Sequence, residues 1–111
     1  MAQAEFVQEG ASIDYTPSQA VSAGDVIVQG DLVGVAKLDI AANKLGALAV
    51  TGVFDFAKGT GNGSAIAVGS NVYWDDASNL VTTTSLGNKL LGKCVKAAGD
   101  ADATARVRLS Q

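Results

Sequence analysis

Few residues in this 111-residue chain carry side chains able to do chemistry. Two pairs of carboxylates stand close together, Asp75 with Asp76 and Asp100 with Asp102. Paired carboxylates serve general acid–base work or Ca²⁺ binding. Both pairs lie in predicted turns, where a carboxylate more often caps backbone N–H groups. A Ca²⁺ loop would need oxygen ligands at alternating spacing and a bidentate Glu, and the sequence offers neither. Gly59-Thr60-Gly61-Asn62-Gly63 invites a phosphate cradle, because glycine amides approach anions closely. The P-loop and dinucleotide-loop spacings both fail, however, and a strand rather than a helix is expected to follow. The cluster reads as a loop between strands. Asn62-Gly63-Ser64 has the spelling of a glycosylation acceptor, which is accidental without a secretory leader.

Absences narrow the chemistry further. The chain has no His, one Cys and one Pro. Without His, the commonest general base and metal ligand are gone, and with them the Ser-His-Asp and Cys-His nucleophilic systems. A lone Cys94 supplies neither a zinc site nor an intramolecular disulfide. No metal, no cofactor and no enzymatic activity are therefore expected. Eight basic and eleven acidic residues, spread without runs, leave a net charge of −3, which argues against nucleic-acid and anionic-membrane partners. The N-terminal residues are not basic and lead into no signal-like apolar run, and no stretch approaches the roughly 20 apolar residues of a membrane span. A soluble protein made in the cytoplasm is expected.

The elements that would position these residues are strands. Short Val-rich and Ala-rich runs punctuated by Gly, Asp and Asn recur along the chain, and helical periodicity is scarce. At least seven strands are expected, forming an all-β single domain, a small β-barrel or β-sandwich, over residues 11–111. Residues 1–10 read as an extended N-terminal arm, polar except for Phe6 and Val7 and closed by Gly10. Gly34, inside Leu32 to Leu38, marks a bulge or a close backbone approach. Asp39 to Lys44 reads as a hairpin loop rather than a helical turn. Leu45 to Lys58 is the longest strand-like run, with Phe54 and Phe56 on one face, and Ala65 to Val68 reads as a further strand. Asn71 to Trp74 and Leu80 to Thr84 form a hairpin. In Thr104 to Leu109, Ala105, Val107 and Leu109 alternate with Thr104, Arg106 and Arg108.

Apolar residues make up 48 % of the chain but aromatics only 5 %, so the core is built from small side chains and is thin. The surface scaling law gives roughly 5,600 Å² exposed for a folded chain of this mass. Such a core favours help from neighbouring subunits. Candidate contact residues follow. Tyr73 and Trp74 must point to opposite faces, one inward and the other available to an interface. Arg106 and Arg108 share a face that either meets solvent or pairs across subunits. Phe6, Val7, Gln8 and Glu9 form the part of the arm able to reach a partner. Cys94 is expected to be a small core residue.

The order of several motifs, taken together, resembles the small phage capsid cement proteins. Phe6-Val7-Gln8-Glu9-Gly10, Gly24-Asp25-Val26 and Leu32-Val33-Gly34-Val35-Ala36 resemble the family's opening. Gly52-Val53-Phe54-Asp55-Phe56, Gly69 followed by Val72-Tyr73-Trp74-Asp75, Leu91-Gly92 and Ala103 to Leu109 continue it over nearly the whole chain. The resemblance implies a head decoration (minor capsid) protein of the bacteriophage virion. It would bind the outer face of an expanded icosahedral head where capsomers meet and stabilise it against the pressure of packaged DNA. The implied partner is the major capsid protein. The polar arm with its isolated Phe6-Val7 suggests strand addition to an edge of that shell, and the thin core suggests further copies of the chain, with a homotrimer favoured over a dimer. A tail or baseplate β-module and a carbohydrate-binding adhesion domain are the alternatives.

Overall fold

The computed structural model describes residues 3–111, and among them the only regular elements are strands. In chain order these are β1 (Ser12–Tyr15), β2 (Val26–Gln29), β3 (Leu32–Val35), β4 (Gly46–Ala49), β5 (Gly52–Ala57), β6 (Asn71–Asp75), β7 (Leu80–Thr82), β8 (Lys89–Lys96) and β9 (Thr104–Leu109). They build two antiparallel sheets, one of four strands in the order β1-β4-β3-β2 and one of five in the order β5-β9-β8-β6-β7. The fold is all-β and sandwich-like. The five-stranded sheet curls until its edges approach, but among the described residues a single bridge, Lys58 to Val81, joins them, so the barrel is not closed.

The core lies between the sheets. Val33 and Val35, with Val26 and Val28 beside them, pack against Phe56, Val72, Trp74, Leu91, Cys94 and Val107 of the larger sheet. Side chains of this size contribute about 1.5–3 kcal/mol each when fully buried. Phe56 is the centre of the aromatic contacts, its ring 6.1 Å from Phe54 in an edge-on arrangement and 6.2 Å from Trp74 in a tilted one. A second, smaller cluster of Val21, Ala36, Ile40 and Leu48 covers the far face of the four-stranded sheet. The expected alternation of β9 is present, with Ala105, Val107 and Leu109 buried and the residues between them exposed.

Close approach requires glycine at Gly34 and at Gly92, as it does at Gly46 beneath Ile40. A Cβ on Gly34 would lie 2.8 Å from Leu48 Cβ, so the expected close approach is made by the neighbouring strand's leucine. A Cβ on Gly92 would lie 1.9 Å from Arg108 O, inside the β8–β9 ladder. Near Gly92 the β6–β8 register slips, Val72 facing Gly92 and Tyr73 facing Leu90, which leaves Leu91 as a bulge residue aimed into the core.

Three expectations are corrected. Leu45 to Lys58 is two strands in different sheets, the chain crossing between layers at Val50-Thr51, so β8 with eight residues is the longest strand. Ala65 to Val68 forms only one bridge, Ile66 to Ala98, because the turns at Ser64 and Ser70 leave too little chain for a ladder. The second half of the hairpin ends at Thr82. The layers are also clasped by the side chain of Gln111, whose Oε1 accepts from Val33 N at 2.7 Å and whose Nε2 donates to Val33 O at 2.5 Å. Beyond the pair Val35–Ala49 the β3–β4 ladder stops, and the Gln111 amide occupies the place that Thr51 would hold had the ladder continued.

Candidate functional site

The outward face of the five-stranded sheet gathers much of the chain's positive charge. Register places Val53, Arg108, Lys93 and Asn71 in one row and Asp55, Arg106 and Lys96 in the next. Arg106 is held by Asp55 of the same chain, Nε donating to Oδ1 at 2.9 Å and a second guanidinium nitrogen to Oδ2 at 3.2 Å. The Arg106 hydrogen bond, more than charge attraction, lowers the Asp55 pKa, and the same pair raises that of Arg106. The pair is well exposed and contributes little to stability. Lys93 donates to the Asn71 side chain. Arg106 thus has an ion-pair partner within the chain, whereas Arg108 and Lys96 form no ion pair among the described residues, Lys96 adding only a weaker charge attraction to Asp55.

Tyr73 is half-buried on this same face, between Thr82 and Leu90 in register. Trp74 points inward, only 5 % exposed, with Nε1 donating to Asp76 Oδ1 at 3.0 Å. Strand alternation therefore removes Trp74 from the candidate contact surface and leaves Tyr73 there. The arm residues Gln3 to Gly10 are all exposed, Phe6 and Val7 nearly fully, while Met1 and Ala2 of the predicted arm fall outside the described residues. Gln8 Nε2 donates to Ser12 O at 3.0 Å and ties the arm's root to β1.

The carboxylate pairs and the glycine cluster sit together at one end of the larger sheet and serve turns. Asp75 accepts from the amides of Ala77 and Ser78 at 3.1 and 3.3 Å, and hydrogen bonds from Ser78 lower its pKa. Asp100 Oδ1 accepts from Ala65 N, and Asp102 Oδ2 from Gly99 N. Among the described residues no three His, Cys, Asp or Glu gather as a metal site would require.

Lys58 is the residue that the sequence reading missed. It is 4 % exposed, and Nζ donates to Gly59 O at 2.8 Å, Ser64 Oγ at 3.2 Å and Asp102 O at 3.1 Å. It borders a cavity of about 320 Å³ between the Gly59–Ile66 loop and the β6–β7 hairpin. An ammonium has three donors, and all three are spent on the protein, so Lys58 cannot hold an anion there. The signal was present: Phe54, Phe56 and Lys58 share parity, which sends all three inward.

What the molecule offers is therefore surface: a basic, partly apolar sheet face, an arm with two unburied apolar side chains, and turns whose polar groups are committed to one another. A family model described as phage cement protein matches residues 7–109. The chain belongs to the phage cement protein family. The match runs from the arm to the last residue of β9, so the whole sandwich is the cement domain. Cement proteins are structural components of the phage capsid, in keeping with a molecule whose polar clusters are architectural. Compared with curated proteins and with solved structures, the chain gives no match.

Proposed function

We propose that this cement protein binds the outer surface of an expanded icosahedral phage head where capsomers meet, and holds those joints closed against the pressure of packaged DNA. The family match along residues 7–109 carries the reading. The surface chemistry supports it, since the exposed groups are spread over faces rather than gathered in a pocket. The partner is the major capsid protein, the location is the outside of the virion, and synthesis takes place in the bacterial host's cytoplasm. The protein acts without a cofactor and catalyses nothing. Each contact is modest, but a module held at several points by a repeating shell gains from effective concentration.

A homotrimer suits a three-fold joint, and the outward sheet face with Tyr73, Arg106 and Arg108 is the proposed meeting ground between subunits or with the shell. Charge supports this assignment, because Arg108 and Lys96 remain available on a chain of net charge −3. Imaging of heads purified with and without the protein tests the function. Regular protrusions on expanded heads, together with DNA retention to higher temperature when the protein is present, are the expected outcome. Density confined to the tail would replace the reading with a tail or baseplate module, and glycan binding without head occupancy would replace it with an adhesion domain.

A further inference from the structure

The four-stranded sheet is only half covered. On its β1–β4 side lies a groove of about 290 Å³, floored by Ser12, Ala47 and Ala49 and walled by Leu38 and Leu45. The floor is made of small side chains. The two leucines are 77 % and 71 % exposed, with nothing among the described residues packed over them. Lys37 lines the groove, and Lys44 immediately precedes Leu45, so each wall leucine has a lysine before it. Asp39 also lines it, but Asp39 Oδ1 accepts from Ala23 N at 2.8 Å.

The chain carries a segment of matching character. Residues 1–36 contain five acidic residues and no Lys or Arg, and the first two cations of the sequence are Lys37 and Lys44. Within the arm, Glu5 and Glu9 bracket Phe6 and Val7, whose side chains are 79 % and 84 % exposed. Arm and groove therefore repeat one pattern with opposite charge, apolar side chains flanked by acids on one and by lysines on the other. The five residues from Glu5 to Glu9 span roughly 13 Å when extended, the scale of a short groove.

We propose that the Phe6–Val7 segment of one copy docks in the Leu38–Leu45 groove of a second copy, with Glu5 and Glu9 facing Lys44 and Lys37. The arm's own groove is a poor receptor, because Ser12 is itself part of the groove's floor and the Gln8–Ser12 hydrogen bond holds the arm's root against β1, leaving Phe6 and Val7 little chain with which to turn back. An arm passed from each copy to the next is a heterologous contact, which closes into a ring when the rotation between copies closes. This rests on the homotrimer reading above and names the contact that builds it. It also redirects the arm, which the sequence reading sends to the shell, toward a neighbouring copy.

The test is the association state of the full chain, followed by sedimentation and native mass. The expected result is a concentration-dependent oligomer that becomes monomeric, with unchanged circular dichroism, on deletion of residues 3–9 or in Leu38→Ser/Leu45→Ser. Lys37→Glu/Lys44→Glu should weaken association roughly tenfold, as expected for two exposed ion pairs. Adding Glu5→Lys/Glu9→Lys to the same chain should restore it. A mixture of Phe6→Cys and Leu45→Cys chains should give an interchain disulfide. A monomer at all concentrations, an oligomer indifferent to arm deletion, or a Phe6→Cys/Leu45→Cys link formed within one chain would each overturn the proposal. Head imaging keeps the two readings apart. Arm deletion that spares the oligomer but abolishes head occupancy sends the arm to the shell and leaves the cement function standing, whereas arm exchange in a protein that never decorates heads removes the function and keeps the exchange.

Discussion

Lys58 shows how a charged side chain becomes part of the framework. Its three hydrogen bonds collect Gly59, Ser64 and Asp102, so one nitrogen fixes the loop after β5 against the β8–β9 turn. Lys58→Met keeps the stem and removes the donors, leaving acceptors unpaired at about 1–3 kcal/mol. Urea denaturation should show that loss, and hydrogen exchange should show the Gly59–Ser64 amides opening first. Gly92→Ala is expected to be worse. Its Cβ would meet a ladder carbonyl at 1.9 Å, so the loss should reach about 3 kcal/mol or more, with β8 and β9 disturbed together. At Asp55 the effect is one of titration. Its folded pKa lies below the ordinary 3.8, so the ion pair's contribution is complete above that value and is lost as pH falls through the lowered one. Carboxyl NMR should report the depressed titration, and Arg106→Gln should return it to its ordinary range.

Strands whose partners lie close in sequence, or whose alternation is strict, were readable from the residues alone. β9 declares its faces through three buried and three exposed positions, and the β6–β7 hairpin declares itself through its Asp/Asn/Ser turn. The split between β4 and β5 was not readable. Thr51-Gly52 looks the same to a local pattern whether the chain continues in one sheet or crosses to another, and the answer depends on β1 and β9, which lie far away in sequence. The candidate site divides along the same line: parity alone could place Tyr73, Trp74 and Lys58, whereas the Asp55–Arg106 pair required the β5–β9 register. The two layers should also differ in local stability. The four-stranded sheet rests on the smaller cluster around Leu48, so its β1 and β4 amides should exchange before those of β8 and β9. Leu48→Ala, which deletes the centre of that cluster, should cost about 2–5 kcal/mol in equilibrium unfolding.

The whole molecule exposes 6899 Å², well above the roughly 5,600 Å² expected for its mass. The extended arm and the half-covered sheet add to that surface, which an assembly would remove from water. Anything that binds only the folded state raises its stability by mass action, about 2.7 kcal/mol at a hundredfold excess over Kd. Calorimetry of decorated heads should therefore show the cement protein unfolding at a higher temperature than it does free in solution. No such shift would mean that the shell does not hold the folded domain.

The single thiol, Cys94, is 1 % exposed between β6 and β9 in the larger sheet. Because there is only one, every alkylated molecule gains the mass of one adduct, and each such event records that the central layer has opened. Pulsed alkylation followed by intact mass would therefore count openings molecule by molecule. Performed on particles, it would reveal whether the shell restrains the domain's interior or only its perimeter.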